Sequence, residues 1–242
     1  MVVAAALLAS VATAQTPQES PKGPIAIYEF KEAAPLANSV AGSRIGALTL
    51  YGAVELQPGK AILTGQKDNQ LMLPGLERIL SGKTSWTFAI EGKIAALSSD
   101  NHIASYADGS ELDRRLFEIR HSKNGGLYVA VPSANGKSFA GIGATLTEAD
   151  RRFRVAISYD ATAPRAILMA NGKCAVRTDI ALPAAISEKD PLRLGIFRSG
   201  WGPMNGEIVR VSIFDRALSE KELVALFSDE TATPQPSAPV AR

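Results

Sequence analysis

Carboxylates, two histidines, an indole flanked by glycines and a run of loop oxygens are the parts of this 242-residue chain that could do chemistry. The densest acidic run is Glu111-Leu112-Asp113-Arg114-Arg115-Leu116-Phe117-Glu118. Retaining glycoside cleavage needs two carboxyls about 5 to 5.5 Å apart, and on a strand only residues an even number of steps apart share a face. Glu111 and Asp113 meet that condition and Glu118 does not. The arginines between them give the plainer reading of an ion-paired strand edge or loop. Glu148 and Asp150 have no third acid beside them. His102 and His121 are the two histidines, and neither has a partner at zinc or triad spacing. No Gly-rich phosphate loop opens a helix, so no residue is assigned a catalytic role.

Other groups suit binding better than reaction. Trp201 sits in Ser199-Gly200-Trp201-Gly202-Pro203, where the glycines and proline exclude a strand interior and place the indole at a loop tip. There it could stack on the apolar face of a sugar ring, with Arg198 and Asn205 as hydrogen-bond donors. It could equally fold back to plug the end of the domain. Hard oxygen donors cluster in Ser98-Ser99-Asp100-Asn101-His102 and again at Asp108-Gly109-Ser110-Glu111, a polar connection between two expected strands. Asp100, Asn101 and Asp108 are the candidate ligands for a calcium ion; the same residue types also favour solvated turns. Cys174, the single cysteine, reads as a small buried hydrophobe.

These residues must be carried by strands. Apolar alternation with period two recurs at residues 45–51, 61–64, 70–73, 86–90, 116–119, 127–131, 153–159, 167–170, 192–197 and 208–214, with turn residues between. Short strands without intervening helical patterns indicate a sandwich. Asn124-Gly125 and Asn171-Gly172 separate such runs and supply the positive φ that tight hairpins need. Residues 76–80 could form one helical turn. Both faces of the 207–214 strand are partly apolar, which makes it central. Ser219 stands three residues before Glu222, the capping-box spacing, and predicts two helical turns from about residue 220 to 227.

Composition and termini bound the answer. With 46% hydrophobic and 21% charged residues and a net charge of +2, the chain reads as an ordinary globular domain, and its scattered basic residues point to no nucleic acid. Residues 2–14 are apolar or small, carry no charge and end in Ala12-Thr13-Ala14, the pattern of a signal peptide cleaved between Ala14 and Gln15. That run is too short to span a bilayer, so no membrane span is expected after cleavage. A secreted or periplasmic location follows, and the lone cysteine fits a bacterial exported protein without a disulfide framework. Residues 15–24 and 229–242 are Pro-rich and polar and are expected to be a flexible linker and tail around a domain at 25–228.

The order strand, glycine-containing loop, strand ending Phe214-Asp215-Arg216-Ala217-Leu218-Ser219, then capped helix resembles the closing segment of laminin G-like and pentraxin-like domains of the concanavalin A-like lectin/glucanase superfamily. Arg152-Phe153-Arg154-Val155-Ala156-Ile157-Ser158-Tyr159-Asp160 is similar to that family's strand with an aromatic second residue, with Phe153 where Trp is usual. Residues 166–172, 84–90 and 25–30 resemble three further strands, so the likeness runs in order from about 25 to 227. It implies an all-β jelly-roll sandwich of two antiparallel sheets with a short C-terminal helix. It also implies a calcium ion at the rim of lectin-like members, the only cofactor considered, with Asp100, Asn101 and Asp108 as its candidate ligands here. Catalytic members carry an E-x-D-x-x-E strand, which residues 111–118 do not complete. The function expected is an exported, non-catalytic module that binds carbohydrate, a glycan or cell-envelope polysaccharide. The alternatives are a glycoside hydrolase or polysaccharide lyase acting on the concave sheet, and a module docking to another exported protein.

Overall fold

The computed structural model describes residues 23–228 apart from Ala33, Ser110 and the Leu112 side chain. The expected signal peptide, most of the linker and the tail lie outside the described residues. Fifteen strands precede one helix: β1 (Ala26–Tyr28), β2 (Thr49–Tyr51), β3 (Glu55–Gln57), β4 (Lys60–Thr64), β5 (Gln70–Leu73), β6 (Trp86–Ile94), β7 (Asn101–Ala107), β8 (Arg115–His121), β9 (Gly126–Pro132), β10 (Phe139–Thr145), β11 (Arg152–Asp160), β12 (Arg165–Ala170), β13 (Lys173–Arg177), β14 (Leu192–Leu194), β15 (Asn205–Phe214) and α1 (Glu220–Leu226). They form an eight-stranded sheet ordered β13-β12-β11-β6-β15-β4-β3, with β1 also on β15, and a seven-stranded sheet ordered β10-β9-β8-β7-β14-β5-β2. Every pairing between these strands is antiparallel. This is the expected β-sandwich.

Side-chain alternation explains the layering. On β6, Trp86, Phe88 and Ile90 join the core between the sheets, while Ala89 joins a second cluster outside it. Phe117 of the opposite sheet meets both Phe88, at 5.0 Å between ring centroids, and Trp86, at 5.9 Å. Phe153, the aromatic that stands where the family usually has Trp, is fully buried in the same core. The Trp86 indole donates to the Ser81 carbonyl at 2.9 Å, which satisfies its polar atom. Truncating one of these rings to Ala would cost about 3–5 kcal/mol.

The second cluster seals the outer face of the eight-stranded sheet. Leu218, Leu223 and Phe227 lie over Ala89, Ala156, Met169 and Phe214, with half-buried Cys174 at the margin. The Ser219 hydroxyl and Glu222 carboxylate form the reciprocal capping box, as their spacing predicts. β15 is central, paired with β6 on one side and with β4 and β1 on the other. At the Asn171-Gly172 turn both residues have positive φ, 46° and 80°, the hairpin geometry expected of that pair.

Two expectations change and a third holds. The polar connection expected after residue 98 contains a fully buried strand, β7, because Ile103, Ala104 and Tyr106 reach the core while His102 and Ser105 are buried on the other side, opposite Arg120 and Glu118. The expected strand at 192–197 ends at Leu194, since Gly195 turns the chain with φ 90°. Residues 76–80 make a single turn, with Leu80 N–H donating to the Leu76 carbonyl at 2.8 Å.

Candidate functional site

Among the described residues no helix covers the outer face of the seven-stranded sheet, and polar residues gather there on β7 and β8. On β8, Phe117 and Ile119 point into the core, so Glu118 and Arg120 point away from it. Glu118 stands opposite Ser105 of β7, and Arg120 opposite His102. The Glu118 side chain is 5% exposed yet faces three basic groups: His102 Nε2 at 3.2 Å, Arg115 Nη1 at 2.9 Å and Arg120 Nε at 3.2 Å. Burial pushes its pKa up; the His102 imidazole and the charges of His102, Arg120 and Arg115 outweigh that and hold it below the ordinary value. The carboxylate is therefore an ionised, fully engaged floor.

The wall is the loop 195–204 between β14 and β15, and hydrogen bonds pin both of its ends. Gly195 N–H donates to the Ile103 carbonyl at 2.9 Å, and Met204 N–H closes the loop onto the Gly195 carbonyl at 2.7 Å. His102 N–H donates to the Gly202 carbonyl at 2.7 Å, and buried Asn101 accepts from Asn205 N–H at 2.8 Å. Gly202 has φ 61°, and a Cβ there would fall 2.8 Å from His102 Nδ1, so this close approach needs glycine. The His102 imidazole is left between two rings, Phe197 at 5.1 Å and Trp201 edge-on at 4.7 Å. Trp201 is 48% exposed, although its backbone is held at both sides.

Together these groups line a cleft of about 310 Å³. Trp201 and Ser199 form one side, and Phe139 of β10 lies across it with the Arg115 guanidinium carbon 5.5 Å from its ring. The same carbon sits 4.6 Å from the Phe197 ring, a cation–π contact that holds Arg115 in place. The arrangement offers an exposed aromatic face, two guanidinium groups and a fixed floor. Both His102 nitrogens are buried from solvent, and Glu118 is the only carboxylate lining the cleft. Two-carboxylate glycoside chemistry has no second acid among the described residues that line the cleft.

Of the residues singled out by sequence, Trp201 and Glu118 line the cleft. Arg198 does not; its Nε pairs with Asp190 at 2.7 Å. Asn205 opens β15 opposite Thr64 in the other sheet, and it is its backbone N–H that is engaged, by Asn101. The three residues considered for calcium are not brought together. Asp100 and Asp108 flank the seven-residue β7 at opposite ends, roughly 25 Å apart along an extended chain. Asp100 accepts from Lys123 N–H at 2.9 Å, and Asp108 pairs with Arg114 at 2.9 Å. As a set they do not fit one six- to eight-oxygen cage, and among the described residues no group of three or more His, Cys, Asp or Glu is placed to hold a metal. Glu111 and Asp113 are exposed on the turn before β8 and do not line the cleft with Glu118.

Arg120, Phe139 and Phe197 escaped the sequence reading, which took His102 as a histidine without a partner and Arg115 as part of an ion-paired edge, as its bond to Glu118 shows it to be. The alternation Phe117-Glu118-Ile119-Arg120 held a signal, since two charges on one face of an otherwise apolar strand need somewhere to point. His102 had none, because its partners lie in other strands.

A family model for the concanavalin A-like lectin/glucanases superfamily, of laminin G type, matches residues 64–224. Among solved structures, the chain is similar to the binding domain of botulinum neurotoxin serotype G (12% identity, TM-score 0.64), covering 86% of this chain and 51% of that one. It is similar to the receptor binding domain of botulinum neurotoxin D (14% identity, TM-score 0.64), covering 87% and 53%. A third is the Ruminococcus gnavus IT-sialidase CBM40 (18% identity, TM-score 0.53), covering 74% and 97%. The chain thus spans about half the length of the toxin domains, and at these identities the likeness concerns the fold alone. No curated protein matches the sequence.

Proposed function

We propose that this chain, which belongs to the concanavalin A-like lectin/glucanases superfamily, is a non-catalytic binding module that holds carbohydrate in the Trp201 cleft. The observation that carries the reading is an indole 48% exposed on a loop whose backbone is bonded to a core strand. A large apolar side chain left in water beside two guanidinium groups suits a ligand that has both an apolar face and polar edges, which a sugar ring has. The lectin-like relatives of the fold support the same class of function, though not its ligand. With the signal-peptide pattern of residues 2–14, the proposed setting is outside the cytoplasm, with a glycan or envelope polysaccharide as partner. A catalytic role finds less support, because Glu118, the one carboxylate among the described residues that line the cleft, is already paired with His102, Arg115 and Arg120.

The test is a glycan array read with the whole chain and with Trp201→Ala. Truncating a central aromatic anchor costs at least about 2 kcal/mol, roughly thirtyfold in affinity, so the variant should lose its array signals while keeping its thermal midpoint. Sugar binding undiminished in Trp201→Ala would place the site elsewhere. Retention on an envelope protein without sugar competition would favour docking.

A further inference from the structure

We infer that the Trp201 cleft is one half of a longer groove for a polyanionic glycan chain, and that Arg120 is the residue the two halves share. The inference rests on the carbohydrate reading above and adds the ligand's charge and length. Arg120 lines the Trp201 cleft, about 310 Å³, and also a neighbouring cavity of about 370 Å³ whose lining includes Ser122, Tyr128, Thr145 and Lys173. Both volumes fall in the range of small-molecule sites, and each alone is small for an oligosaccharide.

The charges lining the two cavities are lopsided. Arg115, Arg120 and Lys173 are the cations, and Glu118 is the one carboxylate. That carboxylate is 5% exposed and already faces Arg115 and Arg120, so it neither accepts a further partner nor presents an open negative surface. An incoming anion meets a surplus of positive charge and no exposed acid.

Arg120 has the geometry of a recognition group. Its side chain is 40% exposed, its Nε points to Glu118 at 3.2 Å, and its guanidinium carbon lies 5.6 Å from the Tyr128 ring. Anchored on those two sides, it keeps its terminal N–H groups for the groove, a planar fork that matches a carboxylate or a sulfate ester. Lys173 comes from the other sheet, as the exposed first residue of β13 after the Asn171-Gly172 turn, and adds a compact charge at the far end. A single acidic sugar would fill one cavity, whereas a chain would fill both and reach Lys173.

Calorimetric titrations with uronic-acid oligosaccharides of increasing length, sulfated oligosaccharides and carboxyl-reduced neutral oligomers test this. Affinity for one or both anionic series should exceed that for the neutral series at least about tenfold, weaken as salt screens the charges, and rise with chain length. Which anionic series binds tells carboxylate from sulfate. Lys173→Ala, an exposed position that leaves the fold intact, should lower affinity by an amount that grows with oligomer length. Arg120→Ala should weaken every anionic ligand, with Arg120→Lys recovering part of the loss. Equal affinity for neutral and anionic oligomers, or no effect of Lys173→Ala on the longest one, overturns the inference. Neutral binding abolished by Trp201→Ala would leave the cleft assignment standing while removing the polyanion; no measurable heat with any sugar would remove both.

Discussion

Asn101 carries more of the site than any residue that touches the open cleft. It is fully buried; its amide donates to the Ser99 carbonyl at 2.8 Å and accepts from Asn205 N–H at 2.8 Å. Asn101 and Asn205 were singled out for separate reasons, as a calcium ligand and as a sugar donor, and the fold joins them to each other instead. Asn101→Ala removes the acceptor of the Asn205 N–H, a loss of about 0.5–1.5 kcal/mol, and takes away one of the bonds that hold the C-terminal end of the loop. The expected result is a lowered thermal midpoint together with weaker ligand response at Trp201. The midpoint drop should be the same in chelator as in saturating Ca²⁺; a drop that Ca²⁺ restores would return Asn101 to the role of metal ligand.

At the scale of elements, the helix and the loop do opposite jobs with similar means. α1 is seven residues long, too short to be stable alone, and owes its place to the capping box and to Leu223 and Phe227 on the sheet. Ser219→Ala removes the cap at a cost of about 1 kcal/mol, which for a domain of this size should lower the melting midpoint by roughly 2–4 °C without altering ligand affinity, since the helix covers the sheet opposite the cleft. This helix was legible in the sequence because a cap is local, and so were the Asn171-Gly172 hairpin and the alternating strands β6, β11 and β15. The cleft was legible only at Trp201, where flanking glycines gave the loop away. β7 escaped because its apolar residues are preceded by Asn101 and His102 and interrupted by Ser105, which are buried by chain arriving about a hundred residues later, such as the Ile196 carbonyl that accepts from Ser105. Arg115, Arg120 and Phe139 become neighbours only through the order of strands β7 to β10, information that spacing along the chain does not contain.

Across the whole molecule, acid should loosen the sandwich in two stages. His121 is fully buried, and burial pulls its pKa below the ordinary 6.5, against the Ser99 carbonyl and Asp100, which raise it. Below that value the unfolded chain binds the proton that the folded one resists, so stability rises with pH across this window and falls on acidification. Glu118, also depressed, has the same sign lower down: its contribution is present above the unfolded value of 4.5 and is lost as pH falls through the folded one. Thermal melts should therefore show a plateau above about pH 7 and a declining midpoint toward pH 5, and His121→Gln should flatten the first part of that slope; a midpoint that climbs on mild acidification would contradict the assignment. The loop 195–204 adds a consequence at this scale. It is the joint at which the chain leaves the seven-stranded sheet at β14 and enters the eight-stranded sheet at β15, so a sugar held by Trp201, as proposed above, would grip the seam of the sandwich. Occupancy and folding are then one linked equilibrium, in which the ligand adds RT ln(1 + [L]/Kd) to the stability of both sheets at once.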